Sequence, residues 1–257
     1  SPTLITGFDT SLNSLFGYSI NLVEINLTNF NTENITDMGG MFRELSQIES
    51  LDLSNFDTSN VTAMWGMFNG ATSLKDLDIS SFDTSKVRSM NTMFEGTESL
   101  NDLDLSHFNT ANVISMYGMF EDHGGASLDL SNFNTSNVSS MSSMFRGAKN
   151  LTSLNISSFN TFRVTGFRSM FQGVEKLEEL DLSHFSVDNL KTGVTTHALQ
   201  RTFQGMFALK RLNVTGWFFS TLPGSYLIFG EVNSELEVTC NLGGAPGTGS
   251  FYGYDCQ

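Results

Sequence analysis

The sequence is poor in charged residues, proline and cysteine, and the charge it carries is mostly negative. Charged residues make up 16 % of the 257 positions, and 27 Asp and Glu against 13 Lys and Arg give a formal net charge of −14. This charge repels phosphate backbones and anionic lipids, which argues against nucleic acid or an anionic membrane as the partner. No apolar run reaches the roughly 18 residues that a transmembrane helix needs, so we expect no membrane insertion by this segment.

The remaining composition indicates a folded domain. Apolar residues make up 39 %, too many for a disordered chain, and 3 prolines with 23 glycines do not suggest long linkers. The sequence shows no basic-then-apolar leader, so we expect any signal peptide or wall anchor to lie outside it. Cys240 and Cys256 flank a Gly-rich stretch and predict a local disulfide, the alternative being two unrelated thiols.

An internal repeat dominates the sequence. The aromatic residue that closes the phrase Leu-Asp-Leu-Ser-x-Phe recurs at intervals of 26 residues, with one step of 25 and one of 32. Its positions are Phe30, Phe56, Phe82, Phe108, Phe133, Phe159, Phe185 and Trp217. A second phrase, Met-Phe, follows at Phe42, Phe68, Phe94, Phe120, Phe145 and Phe171. This regularity indicates a solenoid in which each coil buries its apolar residues against its neighbours.

Each repeat combines two patterns. Apolar and polar residues alternate over 75–80, which predicts a half-buried strand. Val87, Met90, Met93 and Phe94 then follow at a one-faced spacing that predicts a short helical or 3₁₀ return. We therefore predict a right-handed α/β leucine-rich-repeat solenoid with a parallel sheet of about eight strands. The alternative is a three-faced right-handed β-helix, whose coil lengths overlap with those of leucine-rich repeats.

The repeat resembles that of BspA-like leucine-rich-repeat surface proteins of bacteria. The phrase that carries the resemblance runs from Leu51 to Val61 and continues with Met64, Met67 and Phe68. The resemblance covers roughly residues 22–217. It implies an extracellular, wall- or membrane-tethered protein, often an adhesin for host or matrix components, and it implies no catalytic residue set.

Departures from the repeat divide the chain into three parts. Residues 1–21 form a shortened N-terminal capping unit, 22–222 the repeat array, and 223–257 a β-rich C-terminal cap with the cysteine pair. In the array, residues 122–125 replace the usual Leu-bearing turn and leave the fifth unit one residue short. An insertion over 191–198, which contains His197, is expected to form an outward loop that either takes part in binding or has drifted neutrally.

The outward positions of the predicted strands form an acidic patch, which is the main candidate binding site. Its members are Asp52, Asp76, Asp78, Asp102, Asp104 and Asp129, with Asp181 further along the same column. Carboxylates about 5 Å apart repel by roughly 0.8 kcal/mol per pair even in water, so something must offset the repulsion. The candidates are hydrogen bonds from Ser hydroxyls and strand-end amides, a bound Ca²⁺, or a basic partner. No spacing matches a calcium loop, and we expect no resident cofactor or metal.

Other repeated residues have structural and functional interpretations. A column from Thr32 to Thr161 caps the predicted helices or, alternatively, orders water or ice. The methionines are expected to fill the core, because their spacing is one-faced. Trp65, Tyr117 and Phe162 should point outward, either into an interface or over a neighbouring coil.

The sequence thus favours a binding protein over an enzyme. The four histidines form no cluster, and there is no nucleophile elbow, carboxylate pair or phosphate loop. We predict a secreted or cell-surface adhesion module that binds a host or matrix protein or glycan through the sheet face and adjacent loops. We expect it to be monomeric. The alternatives are a structural spacer, a polysaccharide-active enzyme and an ice-ordering surface.

Overall fold

The computed structural model describes residues 10–191, 197–217, 228–240, 250–251 and 254–256. The chain forms a solenoid of stacked coils, each with a three-residue strand on one side and a longer return segment on the other. The strands of the repeat are β1 Ser50–Asp52, β2 Asp76–Asp78, β3 Ser127–Asp129, β4 Ser153–Asn155, β5 Glu179–Asp181, β6 Arg211–Asn213 and β7 Glu237–Thr239. Two short strands follow, β8 Ser250–Phe251 and β9 Tyr254–Asp255.

The strands pair in parallel and in register, coil on coil, but they do not form one sheet. β1 pairs with β2, β3 with β4, and β5 with β6 and then β7. The predicted parallel strands are therefore present, but the one sheet of about eight strands is replaced by seven parallel strands in three separate sheets among the described residues. Residues 102–104, where a strand was expected, are not paired with β2 or β3, although Leu103 still packs partly buried against the core.

Two local causes account for the interruption at residues 102–104. Asp102 and Asp104, the two outward residues of this coil, each fall opposite an Asp of β2. In the β1–β2 pair, by contrast, one of the two outward positions places Ser50 opposite Asp76. Like charges directly opposite one another weaken a strand pair. On the other side, the coil that leads into β3 is one residue short, which shifts the backbone relative to its neighbour.

The return segments are not helical, which corrects the predicted helical returns. The one 3₁₀ turn among the described residues is Asp188–Lys191. Elsewhere the return consists of successive tight turns with left-handed residues four positions apart, such as Gly66 at φ 58° and Gly70 at φ 73°. Glycine adopts this conformation without strain. Four-residue turns therefore produce the one-faced Met-Met-Phe spacing that suggested a helix.

Hydrogen bonds between the returns of neighbouring coils hold the solenoid together. The N–H groups of Met64, Gly66 and Phe68 donate to carbonyls of the next coil at 3.1, 2.7 and 2.9 Å. The same pattern links the returns from Ser11 to Ser140 as a row of parallel bridges. This second ladder runs past residues 102–104, so the coils stay stacked where the strand ladder is interrupted.

Stacked phenylalanine rings occupy the centre of the core. Each ring of the Met-Phe phrase stacks on its counterpart in the next coil, with centroids 5.1 to 6.2 Å apart. The rings in this stack are Phe16, Phe42, Phe68, Phe94, Phe120, Phe145, Phe171, Phe203 and Phe229. The methionines from Met38 to Met170 are buried beside them, as the one-faced spacing predicted.

The threonine column is buried and links coils, so it neither caps helices nor faces water. Thr84 is 1 % exposed; its hydroxyl donates to the carbonyl of Asn109 at 3.0 Å and accepts from the Asn109 N–H at 2.8 Å. Thr58 and Thr135 make the same reciprocal pair with the coil that follows each of them. The hydroxyl satisfies two buried backbone groups, and its burial excludes this column as an ice-ordering surface.

The C-terminal region continues the solenoid and then closes it. β7 adds a parallel strand to β6, Val238 forms a bridge with Cys256, and β8 and β9 pair antiparallel. Cys240 and Cys256 form the predicted disulfide, with Cα atoms 5.0 Å apart. Most of the inserted loop and residues 1–9 lie outside the described residues.

Removing one hydroxyl from the threonine column should lower stability. In Thr84→Val the shape is kept, but the N–H and C=O of Asn109 lose their buried partner, and we expect a loss of about 1–3 kcal/mol. The control is Thr62→Val, because the Thr62 hydroxyl bonds at the exposed surface, and it should change stability by less than about 0.5 kcal/mol. Urea unfolding followed by circular dichroism measures both, and equal losses would contradict a special role for the buried column.

Candidate recognition surfaces

The strands place the acidic residues together on one exposed surface. The strand face comprises the outward side chains of β1 to β4 and of residues 102–104. Asp52, Asp76, Asp78, Asp102, Asp104 and Asp129 are all exposed there. Asp181 is exposed on β5, further along the same column. Strand pairing aligns Asp52 with Asp78, so neighbouring carboxylates lie at about the 4.8 Å strand spacing.

Each strand-end Asp is fixed by the serine two residues later. Asp52 Oδ1 accepts the Ser54 hydroxyl at 2.6 Å and the Ser54 N–H at 3.0 Å. Asp78 makes the same contacts with Ser80. These bonds confirm that Ser hydroxyls and amides donate to the Asp oxygens, although they form within one coil and not between coils.

The serine hydrogen bonds also keep the carboxylates ionised. Bonds from the Ser54 hydroxyl and N–H lower the pKa of Asp52 below its usual value, and Ser131 lowers the pKa of Asp129 in the same way. For Asp104 the backbone N–H of Ser106 is the larger cause of the lowered pKa. The strand face therefore stays negatively charged at neutral pH, and each Asp keeps an outward oxygen outside its turn.

The cations near this surface pair with glutamates and not with the Asp rows. Lys75 pairs with Glu49 at 2.9 Å, Lys210 pairs with Glu178 at 2.9 Å, and Arg211 pairs with Glu179. Among the described residues, no Lys or Arg forms an ion pair with Asp52, Asp78 or Asp104. A shallow depression of about 470 Å³ lies over these rows, lined by the outward residues of β1 and β2 together with Lys75 and Asp102.

The acidic residues do not converge on a point. Within the part of the chain that the structure describes, no three His, Cys, Asp or Glu side chains form a group able to hold a metal ion. The carboxylates extend along the solenoid in rows, which presents an extended negative strip to a partner.

The other predicted binding residues lie apart from the strand face. Trp65 and Tyr117 belong to the returns; Trp65 is half-buried and Tyr117 is 45 % exposed. Trp65 packs over the neighbouring coil, because its indole occupies the space that a side chain at Gly39 would need. His197 is exposed next to the insertion, away from the acidic rows.

The shortened fifth unit contains a buried histidine that the sequence did not single out. His123 is 1 % exposed, and its Nδ1 lies 2.9 Å from the Thr97 hydroxyl, which itself donates to the Phe94 carbonyl. Nδ1 therefore carries the proton, and Nε2 is a buried acceptor for which no described residue provides a donor. A Cβ at Gly125 would lie 2.6 Å from Nε2, so this position requires glycine.

His123 lies three residues after Phe120, where other coils carry Leu45, Ala71, Thr97 or Ala148, and its own coil lacks the leucine that follows this position. The preceding unit places Leu100 in this turn, and residues 122–125 contain no leucine. The signal in the sequence was the missing leucine beside two glycines. Burial lowers the pKa of His123 to about 4, because protonation would put a charge into the core.

This buried histidine should make stability depend on pH. The pKa of His123 falls from 6.5 in the unfolded chain to about 4 in the folded one, so the unfolded state binds more protons between these values. The contribution of neutral His123 to the free energy of unfolding is complete above pH 6.5. It is lost progressively as the pH falls from 6.5 through 4. At pH 4.5 the loss is about 2–3 kcal/mol.

The matched variant is His123→Leu, which introduces the residue found at the equivalent position Leu45 and cannot be protonated. Urea unfolding of both proteins at pH 7.5 and pH 4.5 isolates the contribution, since the carboxylates titrate alike in both. An equal loss of stability in the two proteins on acidification would contradict the assignment.

The coils, their two hydrogen-bonded ladders and the exposed strand face define a parallel-strand repeat solenoid. The chain belongs to the DUF285 family, described as Mycoplasma proteins of unknown function, which matches residues 10–131 and 123–222. No curated protein matches the sequence. A leucine-rich-repeat protein of Leptospira interrogans has a similar solved structure, with 13 % identity over 82 % of this chain and 68 % of that chain and a TM-score of 0.26. This score is too low to bear on function.

No helix among the described residues has the length and apolarity to cross a membrane.

Proposed function

We propose that the solenoid is a secreted or cell-surface recognition module, related to the BspA-like surface proteins, that binds a host or matrix protein or glycan through the strand face. The observation that supports this most is the row of ionised carboxylates without cation partners. Asp52, Asp104 and Asp129 are held in fixed orientations by their serines and remain charged. In this proposal the module acts as a monomer, has no cofactor and is not an enzyme.

The charge of the strand face favours a basic protein surface over a neutral ligand. Facing carboxylates repel one another, and a partner that inserts Lys or Arg side chains between the rows relieves that repulsion. A ridge of stacked strands also offers enough area for stable recognition, which needs roughly 800 Å² on each partner. The fixed Asp turns reduce the side-chain entropy that binding would otherwise cost.

A structural spacer is the second candidate, and the continuity of the return ladder favours it. The return ladder and the phenylalanine stack link successive coils, which suits a stiff rod. A spacer and a recognition module differ in one respect: changing strand-face charges alters binding only in the latter.

Charge reversal on the strand face should weaken binding while the fold survives. We expect Asp78→Lys/Asp104→Lys to lower affinity at least 10-fold for any ligand that wild type captures on an array of immobilised matrix proteins and glycans. Each Asp side chain is exposed, so the substitutions remove only the local hydrogen bonds from Ser80 and Ser106, and the thermal midpoint should fall modestly while the protein stays folded. The effect should shrink at high salt, because exposed charges are screened.

The control is Glu33→Lys/Glu235→Lys, which changes the net charge equally at exposed positions off the strand face. It should bind as wild type does. Repeating the array with EDTA tests whether a divalent cation takes part. Unchanged binding by the strand-face variant would overturn this proposal and leave the spacer.

A further inference from the structure

The second surface of the solenoid differs in character from the strand face. The return face comprises two outward columns of the return ladder and one column that flanks them. Its residues are Asp37, Ala63, Ser89, Ser115 and Ser140, then Gly39, Trp65, Asn91, Tyr117, Ser142 and Arg168, with Thr62, Arg88, Ile114 and Ser139 at the flank. Charged residues on this face are Asp37, Arg88 and Arg168, so it is nearly neutral in a protein of net charge −14.

Two aromatic side chains stand on this neutral face at a spacing of two coils. Trp65 and Tyr117 occupy the same column, and Asn91 lies between them on the intervening coil. Since adjacent coils lie about 4.8 Å apart at the ladder, the two aromatic positions are roughly 10 Å apart. Ile114 is 51 % exposed on the flank and adds apolar surface near Tyr117.

Contacts with the neighbouring coil hold these groups in place. The Trp65 indole lies over Gly39, and a Cβ at Gly40 would lie 3.7 Å from its Cζ3 atom, so the two glycines allow the ring to lie against coil backbone. The Asn91 Oδ1 accepts the Tyr117 N–H at 3.1 Å. The Asn91 Nδ2 has no acceptor among the described residues and remains a donor at the surface.

We propose that the return face binds a neutral β-1,4-linked glycan laid across the coils, with Trp65 and Tyr117 stacking on alternate sugars and Asn91 bonding to the sugar between them. Aromatic rings combine an apolar face with rigid placement, which suits the C–H-bearing face of a pyranose. Serine hydroxyls in the adjoining column provide donors and acceptors for sugar hydroxyls.

The linkage follows from the spacing of the coils. Successive sugars in an extended β-1,4 chain are rotated by about half a turn, so every second sugar presents the same face to one side. Each sugar advances the chain by close to the coil spacing of about 4.8 Å. Ladder positions two coils apart, which Trp65 and Tyr117 occupy, therefore match the two-sugar repeat, whereas an α-1,4 chain curves away from a straight ladder.

This inference rests on the proposed recognition function but uses a different face and a different partner chemistry. The test uses cellohexaose and chitohexaose, with maltohexaose as the α-linked comparison. Trp65 is one of 2 tryptophans and Trp217 is 1 % exposed, so a fluorescence change on titration reports on Trp65. We expect a saturable change with the β-linked hexasaccharides and none with maltohexaose.

Variants separate stacking from folding. We expect Tyr117→Ala to weaken hexasaccharide binding about 10-fold by calorimetry, Tyr117→Phe to retain it, and Trp65→Ala/Tyr117→Ala to abolish measurable binding. Phe162→Ala is the matched control, since it removes an aromatic ring that is 60 % exposed and lies off the return face. It should bind as wild type does.

The outcomes for the two faces are distinguishable. No binding of either β-linked hexasaccharide, equal binding of maltohexaose, or unchanged binding by Tyr117→Ala would overturn the inference. Asp78→Lys/Asp104→Lys should bind the hexasaccharides normally. If the hexasaccharides fail but array ligands depend on Asp78 and Asp104, the strand-face proposal stands alone; if both fail, recognition by this solenoid is rejected.

Discussion

The hydrogen-bonded stacking of one return segment on the next is the constraint on which the rest of the molecule depends. Left-handed residues such as Gly66 and Gly70 turn the chain so that alternate N–H groups reach the carbonyls of the next coil. This ladder fixes the distance between coils, and the phenylalanine stack forms at that distance. The strand ladder is the weaker of the two, because it is interrupted at residues 102–104 and again between β4 and β5, whereas the returns stay hydrogen-bonded past both places.

Both surfaces derive their regularity from this stacking. A residue type repeated once per coil becomes a straight column at the coil spacing, whether it is Asp on the strand face or an alternating aromatic on the return face. Local contacts then orient the side chains of each column. The Ser54 hydroxyl donates a hydrogen bond to Asp52, and the absence of a side chain at Gly39 leaves space for the Trp65 indole. The two faces differ in charge, and a single rigid scaffold can therefore present separate surfaces to chemically different partners.

Much of this architecture could be predicted from the sequence, because the repeat period assigns core and surface directly. The burial of Phe94 and Met93, the strand Asp76–Asp78 and the pairing of Cys240 with Cys256 follow from spacing alone. The form of the return could not be predicted, since a helix and a series of left-handed turns both place Val87, Met90 and Met93 on one side. Glycines occupy both left-handed positions only at Gly66 and Gly70, and in other returns a residue such as Thr92 or Ser143 occupies one of them, so the sequence carried little signal for these turns.

Other features depended on contacts between coils, which a single repeat does not reveal. Thr84 looks like a helix cap within its own unit, and only the next coil supplies the backbone groups that it bonds. His123 has no local pattern that indicates burial; it is buried because the preceding coil offers the Thr97 hydroxyl and its own coil lacks a leucine.

The nearest-neighbour character of the contacts has a consequence for how the molecule comes apart. Each coil is stabilised by its two neighbours, so opening can begin at an end and spread coil by coil without a single global barrier. The disulfide between Cys240 and Cys256 braces one end covalently, whereas the return that begins at Ser11 has a described neighbour on one side only. Amide exchange would then vary gradually from coil to coil along the axis, and the central coils would be the last to exchange.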